Sequence, residues 1–180
     1  MIIAGVDEVG RGCLAGPVTA AAVILRNHIS GLKDSKQISP SRREILSNKI
    51  KEGSIFSFAS ISNLKIDEVN IHQATLLAMQ EAIINLPIKP DLVYVDGKFI
   101  PSIEVNCKAV IGGDKLIPEI SAASIIAKVH RDDFMIQLDK KYPIYDFAKN
   151  KGYGTAHHLN TLKKFGHTSF HRKSFKGVIV

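Results

Sequence analysis

The chain has 180 residues, enough for one domain with its own core, and its 45% hydrophobic and 23% charged content excludes a disordered chain or a fibrous repeat. Lys and Arg number 24 against 17 Asp and Glu, a net charge of +7 that favours a polyanion partner, although a basic surface can also be merely solvated. Cys13 and Cys107 stand far apart without a CxxC or a His at ligand spacing, which argues against a zinc site or disulfide framework.

Met1 to Val6 (MIIAGV) and Val18 to Leu25 (VTAAAVIL) read as two strands joined by a glycine-bearing connection. A basic loop follows, then a helix with Ser39 as N-cap and Pro40 at its first position. Ser54 to Ile61 (SIFSFASI) is a third strand. From Asn70 to Leu86 the spacing of Ile71, Ala74, Leu77, Ala78, Ala82 and Ile83 marks one apolar helical face, which Pro87 ends. Asp91 to Val95 (DLVYV) is a short buried strand stopped by Asp96-Gly97, and Glu104 to Ile111 is a fifth, closed by Gly112-Gly113. Pro118 to Tyr142 carries helical periodicity up to Pro143, and a loop with Lys151-Gly152-Tyr153-Gly154 leads to a last helix over Thr155 to Phe165.

The order of strands and helices predicts an α/β chain, a mixed sheet covered by helices, within one domain over residues 1–180. Its sheet-containing core spans about residues 1–142, with a C-terminal substrate-binding segment after it. The longest apolar run is too short to span a bilayer and is broken by Gly16 and Pro17, and a strand pattern starts too early for a leader. A soluble cytoplasmic protein is expected.

Asp7, Glu8, Asp96 and Asp114 each lie beside a glycine or at the end of an apolar strand rather than on a polar face. Strand ends are where open α/β sheets gather their sites. Like charges held together there are costly, and a divalent cation relieves the cost; all-oxygen donors suit Mg²⁺ or Mn²⁺. Asp96-Gly97 can also be a plain turn and Asp114 a loop residue. Asp7-Glu8 is harder to dismiss, because adjacent strand side chains point to opposite faces. Gly10-Arg11-Gly12 is either a tight turn or a place where backbone N–H groups approach a ligand, and no Walker A or GxGxxG pattern accompanies it. Lys33, Lys36, Ser124, Lys128, Lys151 and the His171-Arg172-Lys173 run are candidate polyanion contacts, with Tyr153 as an interleaved aromatic. His130 to Asp133 (HRDD) sits inside a helical pattern and lacks the rest of a kinase signature.

Together GVDEVGRG with its LAGPV continuation, LKDSKQIS, YVDGK, GGDKLIPEISAASIIAKVHRD, NKGYGTAHH and HRKSF resemble ribonuclease HII, the type 2 ribonuclease H family, over Gly5 to Phe175. The resemblance implies a ribonuclease H-like fold: a central mixed five-stranded sheet flanked by helices, with a helical C-terminal part. It implies Asp7, Glu8, Asp96 and Asp114 as catalytic carboxylates holding Mg²⁺ or Mn²⁺, two ions during catalysis. The implied reaction cuts the phosphodiester 5′ of a ribonucleotide, in RNA–DNA hybrids or in duplex DNA with embedded ribonucleotides. It leaves 3′-hydroxyl and 5′-phosphate ends, a chemistry of ribonucleotide excision repair. Gly10, Arg11 and Gly12 would contact the ribose 2′-hydroxyl, Tyr153 would pack on the sugar beside the junction, and Lys36, Ser124 and Lys128 would hold phosphates. Asn150 stands where members often carry His. A monomer without an obligate protein partner and without membrane contact is expected. The alternatives are a non-catalytic nucleic-acid-binding module, whose sign would be a lost carboxylate, and another metal-dependent nuclease of the same fold, against which the GRG turn and Tyr153 argue.

Overall fold

The computed structural model describes residues 1–32 and 38–179, and in it the run Val18–Leu25 (β2) is buried almost throughout. A strand hidden on both faces requires a layer on each side. Its antiparallel partners are β1 (Ile3–Val9) and β3 (Ser54–Ile61). β1 pairs in parallel with β4 (Leu92–Asp96), and β4 with β5 (Asn106–Val110). The sheet therefore runs β3-β2-β1-β4-β5, and it is the mixed five-stranded sheet that the sequence and its resemblance imply.

Side-chain alternation assigns the two faces. Ala4 and Val6 of β1, Val18, Ala20, Ala22 and Ile24 of β2, and Val93 and Val95 of β4 pack under α2 (Asn63–Val69) and α3 (Ile71–Ile84). Ala21 and Val23 face the other way, toward α1 (Pro40–Gly53) and α5 (Pro118–Lys141). α5 lies so close on β1 that a Cβ at Gly5 would stand 2.2 Å from the Glu119 carbonyl carbon, so only hydrogen fits there. A third cluster joins Leu14 and Ala15 to Met135 and Leu138 of α5 and to Tyr145, Phe147, Leu162 and Val178 from the C-terminal part. That part contains α6 (Phe147–Asn150) and α7 (Ala156–Phe165). The short α4 (Gly113–Leu116) precedes α5.

Several boundaries differ from the sequence reading for physical reasons. β1 continues past its apolar run through Asp7, Glu8 and Val9, because these pair with Ala21, Ala20 and Thr19 of β2. β5 is shorter than Glu104 to Ile111; Ile103 and Val105 pack against the α3 side without joining the ladder. α3 ends at Ile84, not Leu86, as Asn85 caps it and the residue before Pro87 is disfavoured in helix. Asn70, at φ 72°, both ends α2 and caps α3 through the Gln73 amide, so the unpredicted α2 and the predicted α3 share one turn residue. Ser39 caps α1 as expected, accepting from the Arg42 amide. Among the described residues no helix is long and apolar enough to cross a membrane.

Candidate active site

β1 and β4 run parallel with Val6 opposite Val95, so the next position along brings Asp7 beside Asp96. Val6 and Val95 both face α3, and alternation turns both aspartates to the opposite face, where α5 lies. There the Ser124 hydroxyl donates to the Asp7 carboxylate, which also accepts from the Glu8 amide at 2.8 Å. Asp96 accepts from the Gly113 amide at 2.7 Å. Glu8 sits at the same end of the sheet, half-buried.

These groups open onto a cleft of about 390 Å³ lined by Asp7, Glu8, the Gly10–Gly12 turn, Asp96, Ser124, Lys128 and Tyr153. Burial, then the charges of Glu8 and Asp96, push the Asp7 carboxyl well above the usual carboxylate range. Glu8 is raised by burial and by Asp96, against the pull of Arg11, whose guanidinium stands 3.7 Å away. Three carboxylates crowded in a desolvated cleft form a hard, all-oxygen donor set, and neither imidazole nor thiolate lines it. This chemistry fits Mg²⁺ or Mn²⁺. Among the described residues no three such side chains already close around a single point.

The predicted residues do not all meet. Asp114 is buried on α4, and borders a neighbouring hollow with Leu32, Ile117 and Ser121. It adjoins the cleft through Gly113, whose amide holds Asp96. Lys36 lies outside the described residues, as does Lys33. Lys128 is paired with Asp132 at 2.8 Å one helical turn on, so a carboxylate of the HRDD stretch fixes the ammonium at the cleft. Arg43 of α1 also lines the cleft, a role the helical pattern alone does not reveal. Two arginines in its first turn were the available signal.

His171 and Arg172 correct the sequence reading most. They are 1% and 0% exposed, not part of a basic surface run. The Arg172 guanidinium donates to the carbonyls of Gly10, Arg11 and Gly16 at 2.6, 2.8 and 3.0 Å. The equally buried Arg131, from the HRDD stretch, donates to Pro17, Lys151 and Ala15. Buried polar groups need partners, and here cationic forks satisfy a turn that has no ladder of its own. Cys13, fully buried, contacts the Lys151 carbonyl and the side chain of Tyr153. Burial, and then Cys13, raise the Tyr153 phenol.

Gly10 shows how tight this packing is. Its φ is +89°, and a Cβ there would stand 2.1 Å from Arg131 Nε. Gly10→Ala is expected to destabilise the protein by about 2–3 kcal/mol, read by thermal melting. Gly12→Ala, whose Cβ would stop 3.8 Å from the Tyr153 ring, is the control expected to melt near the wild type. Equal melting of both variants would contradict the arginine packing.

The family model described as Ribonuclease HII matches residues 4–178. The chain is 53% identical over 179 residues to the ribonuclease HII of Borreliella burgdorferi, covering 97% of this chain and 99% of that one. The crystal structure of ribonuclease H2 from Pyrococcus horikoshii OT3 superposes with a TM-score of 0.85 at 26% identity, over 99% of this chain and 95% of the other. The ribonuclease HII of Archaeoglobus fulgidus, solved in complex with PCNA, gives a TM-score of 0.84 at 27% identity, over 98% and 96%.

Proposed function

Since the chain belongs to the ribonuclease HII family and is a ribonuclease H, we propose that it hydrolyses the phosphodiester 5′ of a ribonucleotide, in RNA–DNA hybrids and at single ribonucleotides within duplex DNA. The products carry 3′-hydroxyl and 5′-phosphate ends. The convergence of Asp7 and Asp96 with the Gly10–Gly12 turn and Tyr153 in one cleft carries this reading.

Asp7, Glu8 and Asp96 would hold divalent ions, two in the working enzyme, with Asp114 completing the set from the turn that binds Asp96. Bound there, Mg²⁺ or Mn²⁺ supplies Lewis acidity that acidifies an attacking water and neutralises a leaving 3′-oxygen. Ser124 favours the ionised Asp7, which burial and neighbouring charge oppose. Lys128, Arg43 and Arg11 bring positive charge to the cleft and orient the phosphates of the bound strand. Lys36 joins this set by its motif alone. The turn amides meet the ribose 2′-oxygen, the group that separates RNA from DNA. Tyr153 offers an aromatic face to the sugar beside the junction, its ring edge against Gly12. The protein would act as a monomer on nucleic acid, in ribonucleotide excision repair in the cytoplasm.

A DNA duplex with one internal ribonucleotide tests this. With Mg²⁺ or Mn²⁺ the protein is expected to cut once, 5′ of the ribonucleotide. A duplex that is bound but left intact with both metals would refute the assignment. Tyr153→Ala is expected to lose about tenfold more activity on this substrate than on a long RNA–DNA hybrid, because stacking on one sugar matters most when only one ribonucleotide is present. Equal losses on both would remove the junction role.

A further inference from the structure

Arg11 and Gly12 are exposed, and neither backbone N–H donates a hydrogen bond to the described residues. Their direction is set from behind. The described peptide bonds here are trans, and in a planar trans peptide the carbonyl and the following N–H point opposite ways. Arg172 takes the Gly10 and Arg11 carbonyls on one guanidinium, so the Arg11 and Gly12 N–H groups point away from it. Both residues line the cleft.

The residue before Arg172 is linked through His158 to Tyr153, on the other side of the same cleft. His171 Nδ1 accepts from the Thr168 amide at 2.9 Å, which leaves its proton on Nε2. His171 Nε2 lies 2.9 Å from His158 Nε2, and His158 Nδ1 lies 2.8 Å from the Tyr153 carbonyl. The carbonyl can only accept, so His158 carries its proton on Nδ1 and receives the His171 proton at Nε2. One set of tautomers thus satisfies every bond from Thr168 to Tyr153. Arg172 itself is pinned by its own amide, which donates to the Leu14 carbonyl at 2.8 Å.

We propose that His171 and Arg172 are positioning residues: Arg172 aims the two exposed turn amides at the ribose, and His171, through His158, holds the Tyr153 backbone. One dipeptide sets both ribose-reading elements in register, although neither of its side chains reaches the cleft surface. The inference rests on the proposed reading that the turn and Tyr153 recognise a ribose.

The test is affinity for a duplex with one ribonucleotide and for the all-DNA duplex of the same sequence, with Ca²⁺ replacing Mg²⁺ so that binding is read without cleavage. Wild type is expected to prefer the ribonucleotide. Arg172→Lys keeps the charge but loses the fork, and is expected to lose about tenfold of that preference while holding all-DNA affinity within about twofold. His171→Asn keeps an acceptor for the Thr168 amide and loses the contact with His158. It is expected to lose about threefold of the preference. Should Arg172→Lys fail to fold, His171→Asn decides by the same ratio. A merely structural role would lower both affinities together, and that result, or an unchanged preference in a folded variant, overturns the proposal. A wild type with no preference overturns the underlying ribose-recognition reading instead, before any variant is considered.

Discussion

Asp7→Asn is expected to lower turnover at least about 10³-fold while raising the melting temperature by a few degrees. The two effects share one cause. Asp7 is 6% exposed, and its ionised form is opposed by burial and by Glu8 and Asp96. An amide of the same shape keeps an oxygen for the Glu8 amide but removes the repulsion. It also removes a charge on which divalent-ion binding depends. Mg²⁺ should therefore raise the melting temperature of the wild type and raise that of the variant much less. Asp96→Asn should likewise lose turnover, its remaining oxygen still able to accept from the Gly113 amide. Single-turnover rates on an RNA–DNA hybrid, with melting curves at several Mg²⁺ concentrations, check this. An Asp7→Asn protein retaining more than a tenth of the wild-type rate would remove Asp7 from the catalytic set.

The buried histidine pair is expected to cost the protein stability as pH falls from 6.5 to 4, against the Asp7 and Glu8 carboxyls, whose raised values favour the folded state in the same direction. Burial, then the charges of His158 and His167, push His171 down to about 4. His158 is lowered as well, by burial and His157, against the Tyr153 carbonyl that favours its protonated form. Tyr145 and Phe147 pack on both rings and offer neither a charge to compensate. In the unfolded chain a histidine takes up its proton near pH 6.5. Within this window the unfolded state therefore binds a proton that the folded state refuses, and stability falls as pH falls. The contribution is complete above about pH 6.5 and lost below about pH 4, amounting to about 3 kcal/mol for His171.

Asp67 acts in a different range. Although burial alone would raise it, the Ser174 hydroxyl and the Ser174 and Lys173 amides lower its carboxyl below the ordinary value. Its contribution is present above about pH 4 and lost below, outside the histidine window. Urea unfolding at pH 7.5, 6.0 and 5.0 should show the stability of the wild type falling relative to His171→Asn across these steps, since both proteins share the Asp7 and Glu8 carboxyls. The same slope in both proteins would show that another group governs acid lability.

Short-range pattern carried much of this molecule in readable form. The apolar runs of β2 and β3 match their predicted limits because every residue in them pairs with a neighbouring strand. Ser39-Pro40 starts α1 because a hydroxyl and a fixed φ act within one turn. Asp7, Gly10–Gly12 and Asp96 were legible as candidates because carboxylates and glycines interrupt apolar strands, and the structure brings them to one cleft. The contributions of Arg131, Arg172, His158 and His171 were hidden, and three of the four sit in stretches that look like surface charge. Their burial is favourable only once carbonyls from Gly10 to Pro17 and at Lys151, up to 162 positions away in the chain, converge on two guanidinium groups. Likewise Asp7 and Asp96 become neighbours through a parallel register between strands that no local pattern specifies. Propensity and periodicity act over a few residues, whereas the cost of burying a charge depends on which distant backbone groups arrive to meet it.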